Sequence, residues 1–491
     1  LTLLPLLAIG WQEAAGWLAL LNFVVAGFTL YSILAIKKET TSAVAWCLTV
    51  IFIPIVGLII YWLFGYQSVQ YPLRRKQKHA KLLRQRQVTA DSQYPAKAEV
   101  ACAFELSAEN KELAALAQRL GASPVVGGNR LDFYHEISQA YEAMLEAIRT
   151  ARHHIHLEIF IFRSDASGEK FISALAERAR AGVQVRLLYD AVGSLGLRRT
   201  LLSQLTAAGG QASAFLTLIN PLRRRIQINL RNHRKVLVVD GRVGFTGGAN
   251  IGDEYLGLAP FFGHWRDTFM RLEGPAVRWL QRLFVEDWHF ATNEELLAAD
   301  YFPSLAAAGD APVQVAWSGP DQEFRTIREI YFAAFMKARH RLWIASPYFV
   351  PDAGLLDALC LAARSGRDVR LLLPWRPDKW IPFLASRYYW REVLAAGVKI
   401  YQYAKGFIHA KFVIVDDDWA SVGSANLDNR SLLLNFELTC LIQCKQGVTD
   451  LEAAFLRDLK ESIRVSPEQF ERRGFVGRFA ENACRLLSPV L

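Results

Sequence analysis

The sequence predicts a duplicated α/β region behind an N-terminal hairpin of two transmembrane helices. Three observations carry that expectation. Two long uncharged stretches lie within the first 65 residues, strand-like runs then alternate with amphipathic helices, and those segments recur once in the same order. At 491 residues the chain is long enough for about three domains. With 52% hydrophobic and 21% charged residues it is too apolar for disorder and too mixed to be wholly membranous. Six cysteines and no CxxC pair argue against a disulfide framework or a zinc ribbon, and suit thiols in a reducing cytoplasm.

The first uncharged stretch runs from Gly16 to Ile36 and the second from Thr41 to Gly65, with Lys37, Lys38 and Glu39 between them. Each is long enough to cross hydrocarbon as a helix, and Pro54 and Gly57 are tolerable inside a membrane span. Trp17, Tyr61, Trp62 and Tyr66 are placed as interfacial anchors. No basic region precedes the first stretch and a second follows at once, so a cleaved signal peptide is not expected.

The net charge is 57 − 47 = +10, and seven of those charges lie between Tyr71 and Arg86 with no acid among them. A nucleic-acid binder would spread its charge along a groove, so nucleic acid is not the expected partner. Beside a membrane this stretch attracts anionic headgroups and sets the following domain on the cytoplasmic side.

After a polar connector, AIRTARHHIHLEIFIF from Ala147 matches AFMKARHRLWIASPYF from Ala334. ISALAERARAGVQVRLLYD from Ile172 then matches LDALCLAARSGRDVRLLLP from Leu356, and the AAG at 207–209 matches that at 395–397. Strands alternating with helices in this way predict α/β layers on a parallel or mixed sheet.

Each repeat continues into one short pattern. The first holds His233, Lys235 and Asp240, then Gly248 and Asn250. The second holds His409, Lys411 and Asp416, then Ser424 and Asn426. His and Lys two apart on a strand share a face. A lone H-x-K is weak, but two copies at matching places of a duplication are specific. Metal binding fits poorly, because a protonated lysine repels a cation, and His153, His154 and His156 read as packing or capping residues. The set suits attack on a phosphodiester, with one imidazole as nucleophile and the other as acid, then base. The lysines and asparagines would surround the non-bridging oxygens, and Gly248 and Ser424, in a small-residue turn that lets the backbone approach a bound anion, are expected to contact substrate with them, with no metal or other cofactor. Each imidazole needs a carboxylate to set its tautomer. The candidates are Asp267 and Glu437, and matching position pairs Asp267 with His233 and Glu437 with His409. Asp240 and Asp416, though part of the catalytic motif, are expected to brace the loop. Arg223, Arg224 and Arg225, with Arg231 and Arg234, are candidates for a headgroup contact or a solvated basic loop.

These paired HxKxxxxD motifs resemble the phospholipase D superfamily. The strings NHRKVLVVDG, GGANIGDEY, HWRDTFMRLEGPAV, GFIHAKFVIVDD and GSANLDNRSLLLNFE are similar to bacterial cardiolipin synthases. The resemblance implies duplicated phospholipase D-like sandwich halves that share one active site. It also implies transfer of a phosphatidyl group between two phosphatidylglycerol molecules, forming cardiolipin and releasing glycerol. By the superfamily's pattern His233 is the nucleophile and His409 the acid and base. The location it implies is multi-pass in the bacterial cytoplasmic (inner) membrane, catalytic region inward.

The expected boundaries are 1–66 for the anchor, 67–124 for the basic connector, 125–311 and 312–465 for the halves, and 466–491 for an amphipathic tail. A membrane-bound phospholipase D, or a phosphatidyltransferase with a different acceptor, carries the same motifs. Two spans and localised charge count against a nuclease, and two intact motifs count against an inactive scaffold. The sequence leaves homo-oligomerisation open.

Overall fold

The computed structural model describes residues 4–36, 40–62, 104–216, 219–220, 225–226, 230–259 and 261–491. The basic stretch at 71–86, most of the connector, and the side chains of Arg223, Arg224 and Arg225 lie outside the described residues. The chain divides into two compact units, Leu1–Gln70 with Leu218–Asn229, and Tyr71–Thr217 with Leu230–Leu491.

In the first unit, helix α1 (Leu4–Ile36) is followed by α2 (Thr40–Phe52) and α3 (Pro54–Ile60). Pro54 cannot continue α2, and Ile53 leaves helical geometry at φ −129°. Gly57 sits where any Cβ would come within 2.5 Å of the Thr49 carbonyl oxygen, so only glycine lets α3 fold back so closely. Ile33, Val50 and Tyr61 pack together inside the hairpin, and Trp62 Nε1 donates to Thr29 Oγ1 at 3.2 Å. Phe23, Phe28, Leu34, Phe52, Ile55 and Ile59 face outward and are exposed. Among the described residues, no helix is long and apolar enough to cross a membrane. The side chains of α1 are described only at 16–17 and 20–35.

The second unit holds the duplication. Its first half comprises β1 (Val126–Glu136), β2 (His154–Ile159), β3 (Gln184–Asp190), β4 (Gln211–Phe215), β5 (Val236–Val239), β6 (Val243–Gly247) and β7 (His264–Glu273). They lie side by side in the order β1-β7-β6-β5-β2-β3-β4. The second half repeats this with β8 (Ala311–Ser318), β9 (Arg341–Ala345), β10 (Asp368–Pro374), β11 (Lys399–Tyr403), β12 (Phe412–Val415), β13 (Trp419–Gly423) and β14 (Glu437–Ile442), in the order β8-β14-β13-β12-β9-β10-β11. Both sheets are mixed: β2, β3 and β4 run parallel, while β5, β6 and β7 are antiparallel. The halves join where β1 pairs antiparallel with β8, Val126 opposite Val313.

The sequence matches fall on equivalent elements. Helices Ala166–Arg180 and Ala353–Arg364 start on Asp165 and Asp352, whose carboxylates cap the N–H groups of Gly168 and Gly354. They stop at Gly182 (φ +88°) and Gly366 (φ +84°). The glycines of the two AAG matches, Gly209 and Gly397, have the same left-handed backbone. One helical layer covers each sheet, with Met144, Phe171 and Leu175 on the first and Ile327, Phe335 and Leu359 on the second. Between the sheets, Val236, Val238 and Leu272 meet Val315, Ile414 and Val422 in a shared core. Each such side chain contributes about 1.5–3 kcal/mol by leaving water.

Candidate active site

The two motifs are brought together by strand exchange at the junction of the halves. The short strand Gly406–Ile408 pairs parallel with the start of β7, Ile408 opposite Arg266. His409 N then donates to Arg266 O at 2.7 Å, which sets the next residue, Asp267, against its ring. In the other half, Asn232 bridges to Phe436, and His233 N donates to Phe436 O at 2.9 Å. The residue after Phe436 is Glu437. As a result His409 Nδ1 lies 2.7 Å from Asp267 Oδ2, and His233 Nδ1 lies 2.9 Å from Glu437 Oε1. Each imidazole is therefore paired with the acid of the opposite half, which corrects the pairing that matching position suggests. With Nδ1–H donated to a carboxylate, Nε2 of each ring is left for chemistry.

Both lysines are buried just ahead of β5 and β12. Lys235 Nζ donates to His233 O at 2.7 Å, and Lys411 Nζ donates to His409 O. Burial pulls His233 down to about 4, with Glu437 opposing and Lys235 adding. Burial and then Lys411 take His409 down to about 3, against Asp267. Each lysine also depresses the histidine of the other motif, so the two act on one another across the junction. Burial lowers Lys411 to about 8 and Lys235 well below its ordinary value. Burial alone would push Asp267 and Glu437 up, but Lys411 with His409, and His233 with Lys235, hold both below the usual carboxylate range. Near neutral pH both imidazoles are thus uncharged, each backed by a carboxylate.

Asp240 and Asp416 lie beyond the far ends of β5 and β12, away from the rings. Asp240 accepts from the backbone N–H of Arg152, His153 and His154 at 2.7–2.9 Å, and Asp416 accepts from Arg339, His340 and Arg341. Both adopt a left-handed backbone at φ +53°. Although they belong to the catalytic motif, they act as the expected braces and tie the motif strand to the strand beside it. D240A is expected to lower stability by about 2–3 kcal/mol, since three N–H groups lose their acceptor. Thermal denaturation should show that loss, with turnover per folded molecule within a few-fold of the parent.

Gly248 and Ser424 are also corrected, from substrate contacts to supports of the acids. Ser424 Oγ donates to Glu437 Oε2 at 2.5 Å. At Gly248 a Cβ would stand 2.2 Å from Asp267 Oδ1, so the shorter acid fills the space a side chain would need. Asn250 spends its Oδ1 on Ile161 N and its Nδ2 on Tyr255 Oη. Asn426 keeps a buried Oδ1 with no hydrogen-bond partner among the described residues. Arg234 is fully buried against Asp287, and Arg231 reaches Asp190 at 3.3 Å, so neither is placed as a solvated headgroup contact. His156 stacks on Phe284 and pairs with Gln281, in keeping with packing.

Sequence reasoning missed Asp190 and Glu158. Asp190 accepts from Asn232 N at 2.9 Å, and Asn232 Nδ2 donates to Glu158 at 2.5 Å, which fixes the residue preceding His233. The available signal was the contrast between LLYD and LLLP at the ends of the matched strands, an acid in one half and Pro374 in the other.

Two like α/β halves that each supply a His-x-Lys pair to one buried centre define a phospholipase D-like protein. The family model described as "Cardiolipin synthase, PLD-like domain" matches residues 144–288 and 331–459, and "Phospholipase_D-nuclease N-terminal" matches 20–65. The chain is 42% identical over 460 residues to "Cardiolipin synthase" of Geobacillus kaustophilus, covering 93% of this chain and 90% of that one. It is 36% identical to "Major cardiolipin synthase ClsA" of Bacillus subtilis, covering 93% and 95%. The crystal structure of phosphatidylserine synthase from Haemophilus influenzae shares the fold at 14% identity, with a TM-score of 0.59 over 77% of this chain and 100% of that one. The chain belongs to the cardiolipin synthase family, and it is an enzyme, a phosphatidyltransferase of the phospholipase D superfamily.

Proposed function

We propose that this enzyme transfers a phosphatidyl group from one phosphatidylglycerol to another, forming cardiolipin and releasing glycerol through a phosphohistidine. The observation that carries the reading is the pair of buried imidazoles, each held by a carboxylate from the opposite half. Nε2 of His233 attacks phosphorus, and the P–O bond to the glycerol headgroup breaks. His409, protonated, passes its proton to the departing alkoxide. A hydroxyl of the second phosphatidylglycerol then attacks the phosphohistidine while His409 takes its proton back, restoring both rings. A phosphodiester anion seated between the rings raises the proton affinity of His409, so substrate binding itself favours the protonated acid. Lys235, Lys411 and Asn426 are the groups for the phosphoryl oxygens, where charge grows in the transition state. No metal or other cofactor enters these steps.

The same chemistry with water as acceptor gives a hydrolase. Burial of both lysines and both acids, with the histidines only 8% exposed, favours a lipid alcohol over bulk water. The reading also includes a membrane anchor. Helix α1 is uncharged from Ala14 to Ile36. Its outward Phe and Leu side chains suit lipid better than water. The excess of Lys and Arg after the second arm favours a cytoplasmic catalytic region. The partners are phosphatidylglycerol and cardiolipin in the bilayer, with no part for nucleic acid.

The test is purified protein with phosphatidylglycerol in mixed micelles, without nucleotide or added metal. Cardiolipin and glycerol in equal amounts are expected. Phosphatidic acid and glycerol without cardiolipin would make the protein a hydrolase.

A further inference from the structure

The C-terminal helix Phe475–Arg485 packs the wrong way round for a soluble protein. A surface helix normally buries its apolar stripe and shows its charges. Here the inward residue is Glu481, buried against Arg387 at 2.9 Å and Arg473 at 3.2 Å. The outward residues are Phe475, Val476 and Phe479, which are 77%, 79% and 64% exposed, with Leu486 just beyond at 77%. They share one face at helical spacing, and the rings of Phe475 and Phe479 stack at 6.3 Å.

The helix it packs on, Trp380–Ala395, carries further exposed apolar side chains. Arg485 lies over the Tyr388 ring at 4.3 Å, and Tyr389 Oη donates to Ser488 Oγ at 3.0 Å. That helix begins with exposed Trp380 and Ile381, preceded by exposed Trp375. The charges around the face are mainly positive. Arg376, Lys379, Arg391, Arg472, Arg478 and Arg485 are exposed, against exposed Glu392, Glu468 and Glu471, while Glu481 is buried and Asp378 half-buried. Asp378 bonds the Tyr348 hydroxyl and acts electrostatically on Lys411, so the Trp375–Trp380 segment borders the catalytic centre.

We propose that this face of the catalytic unit is a docking surface for an anionic bilayer, with Phe475–Arg485 lying in the interface and the Trp375–Ile381 segment beside it. The inference deepens the functional reading above and rests on its lipid substrate. An 11-residue helix spans about 16 Å, half the hydrocarbon thickness, so it lies in the plane of the membrane. Tryptophans at the headgroup level, apolar side chains below and arginines among the phosphates match an interfacial helix. A second copy of this equally basic surface would meet it with like charge. The arrangement holds the active-site border against the surface that contains the substrate.

The experiment uses the full chain in phosphatidylglycerol vesicles, with a solvatochromic fluorescent amino acid at position 479 or, as control, at Arg149 on the exposed side of helix Ile137–Thr150. Spin-labelled lipid is expected to quench the probe at 479 several-fold and leave the control unchanged, with the difference shrinking at about 0.5 M salt. No quenching at 479 would overturn the proposal, whatever the transferase assay gives. A blue shift that lipid does not quench, and that grows with protein density, would overturn it in favour of a second copy. As a second measurement, V476Q combined with F479Q is expected to raise KM for vesicle phosphatidylglycerol about tenfold while activity on dispersed short-chain phosphatidylglycerol is unchanged. Equal loss on both substrates would also overturn it. Quenching at 479 without any cardiolipin formation would leave the docking surface standing and remove the functional reading.

Discussion

His233→Ala is expected to abolish turnover and covalent labelling together. With phosphatidylglycerol carrying radioactive phosphorus, the parent enzyme quenched in alkali retains label on protein, and H233A retains none. H409A should behave differently, because its nucleophile is intact and only proton transfer is lost. It forms labelled protein slowly and releases it more slowly still, so label accumulates while cardiolipin synthesis stops. Each variant should lose about 10⁴-fold or more in turnover, roughly 5.5 kcal/mol of transition-state stabilisation. Label in H233A and none in H409A would exchange the roles. Turnover surviving in either variant would remove the mechanism. Both side chains touch the carboxylate of the other half, so the fold of each variant is checked by its melting temperature alongside.

The two acids provide the second large effect, and its pattern is specific to the exchanged geometry. Asp267→Asn should reproduce H409A, with label accumulating, because Asp267 orients His409 from 2.7 Å. Glu437→Gln should reproduce H233A, with labelling itself slowed, because Glu437 orients His233. An amide keeps the shape of each acid, but the charge that supports the imidazolium is lost. Removing a carboxylate in that role costs about 10⁴-fold in a catalytic triad. The lysines sharpen the loss, because Lys411 and Lys235 then depress their histidines without the opposing charge. The opposite assignment, with D267N blocking labelling, would mean that the acid serves the histidine of its own half. That is the arrangement the order of residues along the chain suggests.

Much of the fold was legible because the duplication printed it twice. AIRTARHHIHLEIF and AFMKARHRLWIA become equivalent helix ends and strands, and the AAG matches become equivalent helix stops, because only glycine takes that left-handed turn without strain. The histidines and lysines were legible as well, since H-x-K recurring at one relative position is improbable without shared chemistry. The aspartates of the motif were legible as braces: an acid directly after the buried run VLVV or FVIV is placed to collect loose N–H groups at the strand's end. The supports of the site were less legible. Ser424 and Gly248 looked like substrate contacts because they sit in the small-residue turn, yet what decides them is the length of the acid each one faces. The outward apolar face of the C-terminal helix was visible only as a mixture of basic and bulky residues. Which face was buried depended on Arg387, almost a hundred positions earlier, claiming Glu481.

Residue type and local spacing are enough to specify the α/β repeat, and they single out the two histidine–lysine pairs and the phosphodiester chemistry those residue types suit. The tertiary structure alone decided which carboxylate serves which histidine. His233 and Glu437 are 204 positions apart, and His409 and Asp267 are 142 apart. Their pairing depends on one short strand, Gly406–Ile408, and one isolated bridge, Asn232 to Phe436, which cross between the halves and hydrogen-bond the residue ahead of each acid to the histidine opposite. No local pattern encodes that crossing. It follows from the way two copies of one fold, joined antiparallel through β1 and β8, bury their open strand ends against each other.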